Sequence, residues 1–229
     1  AAEMQEVLGR SFVIDNRSGA GQKVGTLAVA RAEPDGTTLL LGTNAAMSTN
    51  PAIEKNIGYD PATDFVPIGA MVWYPFLVVL HPSVPATTIA ELVAYAKQNP
   101  GKIHYGSAGR GSGTHFAGEL FRANAKIDIV HVPYRGLGPA YPDLLSGRIH
   151  LLFDTGSAMG NVKKGDLRML AVSTAQRSPL FPDTPTMIEA GVPDYRLVSW
   201  GGLFAPKGTP PQIVATLSDA MRQVLAKEN

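Results

Sequence analysis

The residues whose types and spacing can do chemistry are concentrated in one run, Gly106-Ser107-Ala108-Gly109-Arg110-Gly111-Ser112-Gly113-Thr114-His115. Its four glycines let the backbone take positive φ and turn N–H groups to one side. Ser112 or Thr114 can cap the helix that follows, whose first amides lack intrahelical partners and sit at the positive end of the helix dipole. Such a place holds a carboxylate or phosphate without a metal or a catalytic side chain. The same run also works as a helix-entry turn that manages backbone geometry alone. The loop by itself does not choose between these readings.

Catalytic motifs fail on inspection. Ser112 is flanked two residues away by Arg110 and Thr114, and Ser107 by Tyr105 and Gly109, so neither fits a nucleophile elbow. Gly109-Arg110-Gly111-Ser112-Gly113-Thr114 ends in Thr where a dinucleotide fingerprint wants Gly or Ala. Gly101-Lys102 lacks both the Walker spacing and a following Ser or Thr. His81, His104, His115, His131 and His150 are scattered without zincin spacing, so no metal site is expected. His115 beside the loop is either a ligand contact or a packing residue. Asp154, closing a strand, is a ligand contact or a loop-orienting group, ahead of a catalytic acid.

The whole chain narrows the classes. At 229 residues, 45% hydrophobic and 17% charged, it is a folded globular protein with a lightly charged surface. A net charge of +1 and the lack of a Lys/Arg stripe give nucleic acid no footprint. Cysteine is absent, which excludes disulfides and thiolate chemistry and suits cytosol or periplasm alike. No apolar run approaches a membrane span; Phe76-Leu77-Val78-Val79-Leu80 is strand-sized. Ala1–Gly9 reads as the tail of a helix closed by a Gly cap, so more chain is expected upstream, with any export signal on it.

The elements that must position the loop alternate strand and helix. Strands are expected at 12–14, 39–41, 68–80, 103–105, 127–132, 149–153, 167–173 and 197–204. Thr88-Ile89-Ala90-Glu91 matches a capping box, and Ile89, Leu92, Val93 and Ala96 share a helical face before Asn99-Pro100-Gly101. Further helices are expected after residues 21, 115 and 139, over 159–164, over 185–191 and from 209 onward. This alternation argues for an α/β fold with mostly parallel sheets. Four Gly- or polar-rich helix entries follow strands: Ser18–Gly21, Gly42–Asn44, the loop before His115, and Arg135-Gly136-Leu137-Gly138. In an open α/β sheet such turns gather where ligands bind. Arg135, Arg110 or Lys23 would add charge for a small anion.

In order along the chain these residues resemble the Bug-type, TctC-like receptors of tripartite tricarboxylate transporters. Phe12 through Gly21 is similar to their V-x-N-R-P-G-A-G-G, and Pro34-Asp35-Gly36-Thr37-Thr38-Leu39-Leu40 to P-D-G-Y-T-L-L. Tyr59-Asp60-Pro61 with Asp64-Phe65 resembles Y-D-P-x-x-D-F. Tyr105 through Phe121 is close to Y-G-S-x-G-x-G-T-x-x-H-L-A-G-E-L-F, His131 through Gly136 to H-V-P-Y-K-G, and Phe153-Asp154 to M-F-D. The resemblance implies a two-lobed periplasmic-binding-protein fold of type II with crossed hinge strands, near 103–105 and 199–201. The first lobe would be 1–103 plus 201–229 and the second 104–200. It further implies a small organic carboxylate held in the interlobe cleft, with no cofactor. Gly19, Ala20, Gly21, Thr43 and Asn44 would face it from the first lobe. Ser107, Gly111, Ser112, Gly113, Thr114, His115, Tyr134, Arg135, Gly136, Gly138 and Asp154 would face it from the second.

The implied function is a monomeric periplasmic receptor, not an enzyme, that delivers a di- or tricarboxylate, acidic amino acid or aromatic carboxylate to membrane transporter subunits. It would neither bind nucleic acid nor insert in the membrane. Family members carry an N-terminal strand with a further Gly-rich loop, and C-terminal elements, that this sequence does not include. Ser18 stands where the family has Pro, and Gln22 where it has a second Gly. Two other classes stay open: the ligand-sensing domain of a transcription regulator, and an α/β enzyme acting on an anionic metabolite.

Overall fold

The computed structural model describes residues 1–227. The chain divides into two compact units, residues 1–73 with 200–229, and residues 74–199. Residues 74–103 therefore belong with the second unit, and the boundary expected near residue 103 moves to 73/74. The reason is strand pairing. Leu77–Leu80 (β3) lies between Leu151–Asp154 (β6) and Arg168–Val172 (β7), antiparallel to both.

The first unit starts with helix α1, Ala2–Leu8, closed by Gly9 in the left-handed region as its position in the sequence predicts. Lys23–Ala30 (α2) leads to Leu40–Thr43 (β1). A π-turn over Ala45–Thr49 runs into Asn50–Ile53 (α3). β1 pairs antiparallel with Val198–Pro206 (β8), which is also flanked by Phe65–Pro75 (β2). Pro211–Leu225 (α8) packs Leu217, Ala220 and Met221 with Met4 and Ile68. Leu41 is 58% exposed, so β1 is buried on one side only. One expectation fails here. Phe12–Ile14 forms no strand: Phe12 packs on the α1–α8 core while Val13 is 89% and Ile14 68% exposed, and a lone extended run gains no ladder.

The second unit is a five-stranded sheet in the order β5-β4-β6-β3-β7, with Ile103–Ser107 as β4 and Ile129–Pro133 as β5. The β4–β5 and β4–β6 pairs are parallel, whereas β3 runs against both neighbours, so the sheet is mixed where a mostly parallel one was expected. Period-two alternation splits β3 between two cores. Val78 and Leu80 face Ile89–Gln98 (α4) and Gly113–Ala125 (α5); Leu77 and Val79 face Ala140–Leu145 (α6) and the segment carrying Met159–Lys164 (α7).

Residues 185–191 make a single capped turn where a helix was expected. Val172 N donates to Pro185 O at 2.9 Å and Met187 N to Val172 O at 3.0 Å along the edge of β7, and the turn closes after one round because Gly191 takes a φ of 92° and the Gly191 and Val192 amides return to Ile188 O and Met187 O. The Thr186 and Glu189 side chains cap each other's amides, so the helix-start signal is real although the helix is not.

The expected cap at α4 forms. Thr88 Oγ1 accepts the Glu91 amide at 3.1 Å, while Glu91 reaches back one residue further than expected, to Thr87. Replacing Thr88 with Ala should lower stability by about 1 kcal/mol, read as a melting point a few degrees lower.

Candidate functional site

In the second unit the parallel pairing puts the ends of β4, β5 and β6 side by side. Ser107 pairs with Pro133, and Gly106 with Leu152 two residues before Asp154. The three corresponding loops leave from the carboxyl ends of adjacent strands, the usual place for ligands in an α/β sheet.

The loop after β4 is bound into one shape by its own side chains. Ser112 caps α5, accepting the His115 amide at 3.2 Å and donating to Gly109 O at 2.7 Å. Thr114 Oγ1 accepts the Ala108 amide at 2.9 Å. Gly109 and Gly111 take φ of 117° and 78°, and a Cβ at Gly109 would stand 3.1 Å from the Tyr134 carbonyl. The loop after β5 is tied to it, since Tyr134 N donates to Ser107 O at 3.0 Å and Gly136 N to Ala108 O at 3.3 Å. Among the described residues the amides of Gly113 and Thr114, the first two of α5, take no protein acceptor. Two N–H groups at the positive end of a 13-residue helix are left for a ligand or solvent.

Beneath the loop lies a stack that the sequence did not single out. The His131 ring lies between His115, at 4.1 Å, and Tyr105, at 4.9 Å. His131 Nε2 is 2.6 Å from Ser107 Oγ, and His115 Nδ1 accepts the Gly111 amide at 3.2 Å. That bond fixes His115 as the tautomer with its proton on Nε2. Burial, then the neighbouring His115, pushes the His131 pKa down to about 4. Burial, with Arg110 adding to it, also holds His115 below its ordinary value. Both rings are neutral at physiological pH. The signal for His131 was its place in a strand at the period facing Tyr105, which shows only once β4 and β5 are paired.

Ser107 and His131 have the separation of a nucleophile and its base, but not the chemistry. Ser107 is fully buried and already accepts the Gly109 amide at 3.1 Å. A base that titrates near pH 4 takes a serine proton poorly. Among the described residues no cluster of His, Asp or Glu is placed to hold a metal ion, and no helix is long and apolar enough to cross a membrane.

The remaining expected site residues behave differently from one another. Asp154 is buried, and its carboxylate accepts the Tyr141 hydroxyl and the amides of Gly156, at 2.8 Å, and Ala158, at 3.0 Å. It orients its own loop. Tyr134 donates to Asp143 at 2.7 Å, and burial pushes its phenol up to about 12, so its hydroxyl is committed to α6. Arg135 and Gly138 are exposed beside the second loop.

In the first unit, Gly19, Ala20, Gly21 and Gln22 all take positive φ. Thr43 donates to the Gln22 side chain at 2.6 Å, and buried Asn50 holds Gly21 O at 2.6 Å. Asn44 follows Thr43 at the start of the π-turn. Gln22 and Asn50 are supports that the spacing of glycines did not reveal.

A preformed polar loop on a helix N-terminus, built on a mixed α/β sheet, has the geometry and charge to hold a small anion. The chain belongs to the tripartite tricarboxylate transporter receptor family, TctC, whose model matches residues 1–229. It is 35% identical over 226 residues to the UPF0065 protein of the tcbD-tcbE intergenic region of Pseudomonas sp. strain P51, covering 98% of this chain and 67% of that protein. Among solved structures it is similar to Rpa4515 of R. palustris with adipate, at 40% identity and a TM-score of 0.95, covering 100% of this chain and 77% of that one. MatC of Rhodopseudomonas palustris with bound malate is 32% identical with a TM-score of 0.93, covering 99% of this chain and 78% of that one. The chain spans about two thirds of the length of the curated relatives it matches.

Proposed function

We propose that this protein is a periplasmic solute receptor that captures a small organic acid and passes it to a membrane transporter of the tripartite tricarboxylate type. One carboxylate would sit on the loop 107–115, accepting hydrogen bonds from the open amides of Gly113 and Thr114. These two amides are the observation that carries the reading: they are charge-complementary to a carboxylate, held rigid by Ser112 and Thr114, and free of protein acceptors. Adipate and malate in the two similar structures supply the ligand class by analogy. Gly19–Gly21, Thr43 and Asn44 are assigned to the same ligand by resemblance. The transporter partner and the compartment follow from the family.

The test is a thermal-shift screen of this chain against a carboxylate library that includes adipate and malate, with the matching diamides as controls. A true ligand at a hundred times its Kd stabilises the fold by about 2.7 kcal/mol, a rise of several degrees, and the diamides do nothing. Stabilisation by no acid, or by acid and diamide alike, would overturn the proposal. Turnover of a bound acid would favour the enzyme reading instead.

A further inference from the structure

The hydrogen bonds beneath the loop 107–115 admit one arrangement of protons. Ser107 Oγ accepts the Gly109 amide at 3.1 Å and has a single proton of its own to place. Two acceptors lie within reach, Gly109 O at 3.3 Å and His131 Nε2 at 2.6 Å. Gly109 O already takes Ser112 N at 3.1 Å and Ser112 Oγ at 2.7 Å, one donor for each lone pair. The Ser107 proton therefore goes to His131 Nε2, and His131 is the tautomer protonated on Nδ1. Ser107 is fully buried, so its hydroxyl is spent within the protein.

Both left-handed glycines of the loop thus end on the ring stack. Gly111 donates directly, to His115 Nδ1 at 3.2 Å, and Gly109 donates to Ser107, which donates in turn to His131. These glycines, at φ of 78° and 117°, set the path by which the chain enters α5 at Gly113. His131 also carries the His115 ring and rests on Tyr105, whose hydroxyl donates to Glu119 of α5 at 2.7 Å.

We infer that His131 is a positioning residue of the anion loop: by accepting the Ser107 proton it holds the Gly109 turn, and so aims the Gly113 and Thr114 amides, without touching the ligand itself. This rests on the carboxylate reading of that loop. Without the Nε2 acceptor, the Ser107 proton must compete with Ser112 for Gly109 O, and Ser112 is the residue that caps α5. A buried donor left without a partner is costly, so the loop shifts to relieve it.

Two substitutions separate the acceptor from the ring. His131→Phe keeps the stack and deletes the acceptor; His131→Gln puts an amide oxygen near the Nε2 position and deletes the stack. Both are read by melting curves and by calorimetric titration at neutral pH with adipate, with malate and with the library acid of largest thermal shift. His131→Phe should bind about tenfold more weakly than the parent while melting within a few degrees of it, the effect of one mis-set hydrogen bond to a charged group. His131→Gln should melt lower yet bind within about threefold of the parent. A residue kept only for packing gives the opposite order, affinity following the melting point, and that order overturns the inference. Ser107→Ala supplies a second check. Because His131 acts through this hydroxyl, His131→Phe should cost little further affinity once Ser107 is replaced. Additive losses in the double variant overturn the inference and leave the carboxylate reading standing. A parent that binds none of these acids removes that reading and the inference with it.

Discussion

A Gly113→Pro variant should bind its carboxylate ligand ten- to a hundredfold more weakly than the parent while its helix content and melting point stay close to normal. Gly113 is the first residue of α5, the one helical position where proline costs nothing in hydrogen bonding, since that amide has no intrahelical acceptor. Ser112 already has φ −71° and ψ 158°, the extended conformation that a following proline demands. The substitution therefore deletes one donor and leaves the fold intact. A hydrogen bond to a charged group contributes about 1.5–3 kcal/mol, which sets the expected loss. Gly109 is the contrasting position. Its φ is 117°, and a Cβ there would stand 3.1 Å from the Tyr134 carbonyl, so Gly109→Ala should distort both loops and cost stability as well as affinity. Calorimetry with circular dichroism separates the two, and parental affinity in Gly113→Pro would show that this amide does not touch the ligand.

The loop, its cap and the helix it opens were legible because their physics is local. Four glycines, Ser112 three residues before an amide that needs an acceptor, and an amphipathic run are adjacent in sequence. The same holds for the Thr88 cap and the Gly9 terminus. What stayed hidden depends on pairing between distant residues. Nothing near Leu77–Leu80 says that it will run antiparallel between β6 and β7, and that one pairing decides both the sheet type and the unit boundary. Asp154 was ambiguous for a similar reason: Tyr141 and the amides that satisfy it come together only when its loop folds. Residues 185–191 carry a true capping pair, yet the turn stops after one round because Gly191 takes a left-handed φ and the Gly191 and Val192 amides return to Ile188 O and Met187 O.

The histidines lead to the second large effect, a loss of stability in mild acid. His131, His115 and His150 all hold their protons less firmly than an ordinary histidine at 6.5, in each case mainly because burial disfavours the charged ring. His115 and Arg110 reinforce this at His131, with Glu119 opposing; Arg110 does so at His115, again against Glu119; His104 and His81 do so at His150. The unfolded chain, titrating near 6.5, thus takes up protons before the folded one does. Stability from these rings is complete above about pH 6.5 and drains away as the pH falls toward 4, where the folded His131 itself becomes charged. Glu91, Glu119, Glu189 and Asp143 are held below their ordinary carboxylate values, so their losses come at lower pH. The interval between about 6.5 and 4.5 belongs to the histidines. For His131 the full shift would correspond to about 3 kcal/mol in a sealed interior; its ring is half-buried, and solvent screening reduces this to about 1–2 kcal/mol. Charging His115 adds a structural penalty, because a protonated Nδ1 can no longer accept the Gly111 amide. Urea unfolding of the ligand-free protein at about pH 7 and about pH 4.5 should therefore show a lower midpoint in acid, and His131→Phe, which keeps the stack without the titration, should flatten that dependence. Equal midpoints in the parent at the two pH values would mean that the rings beneath the loop are solvated, and that the loop is not held in the way its hydrogen bonds indicate.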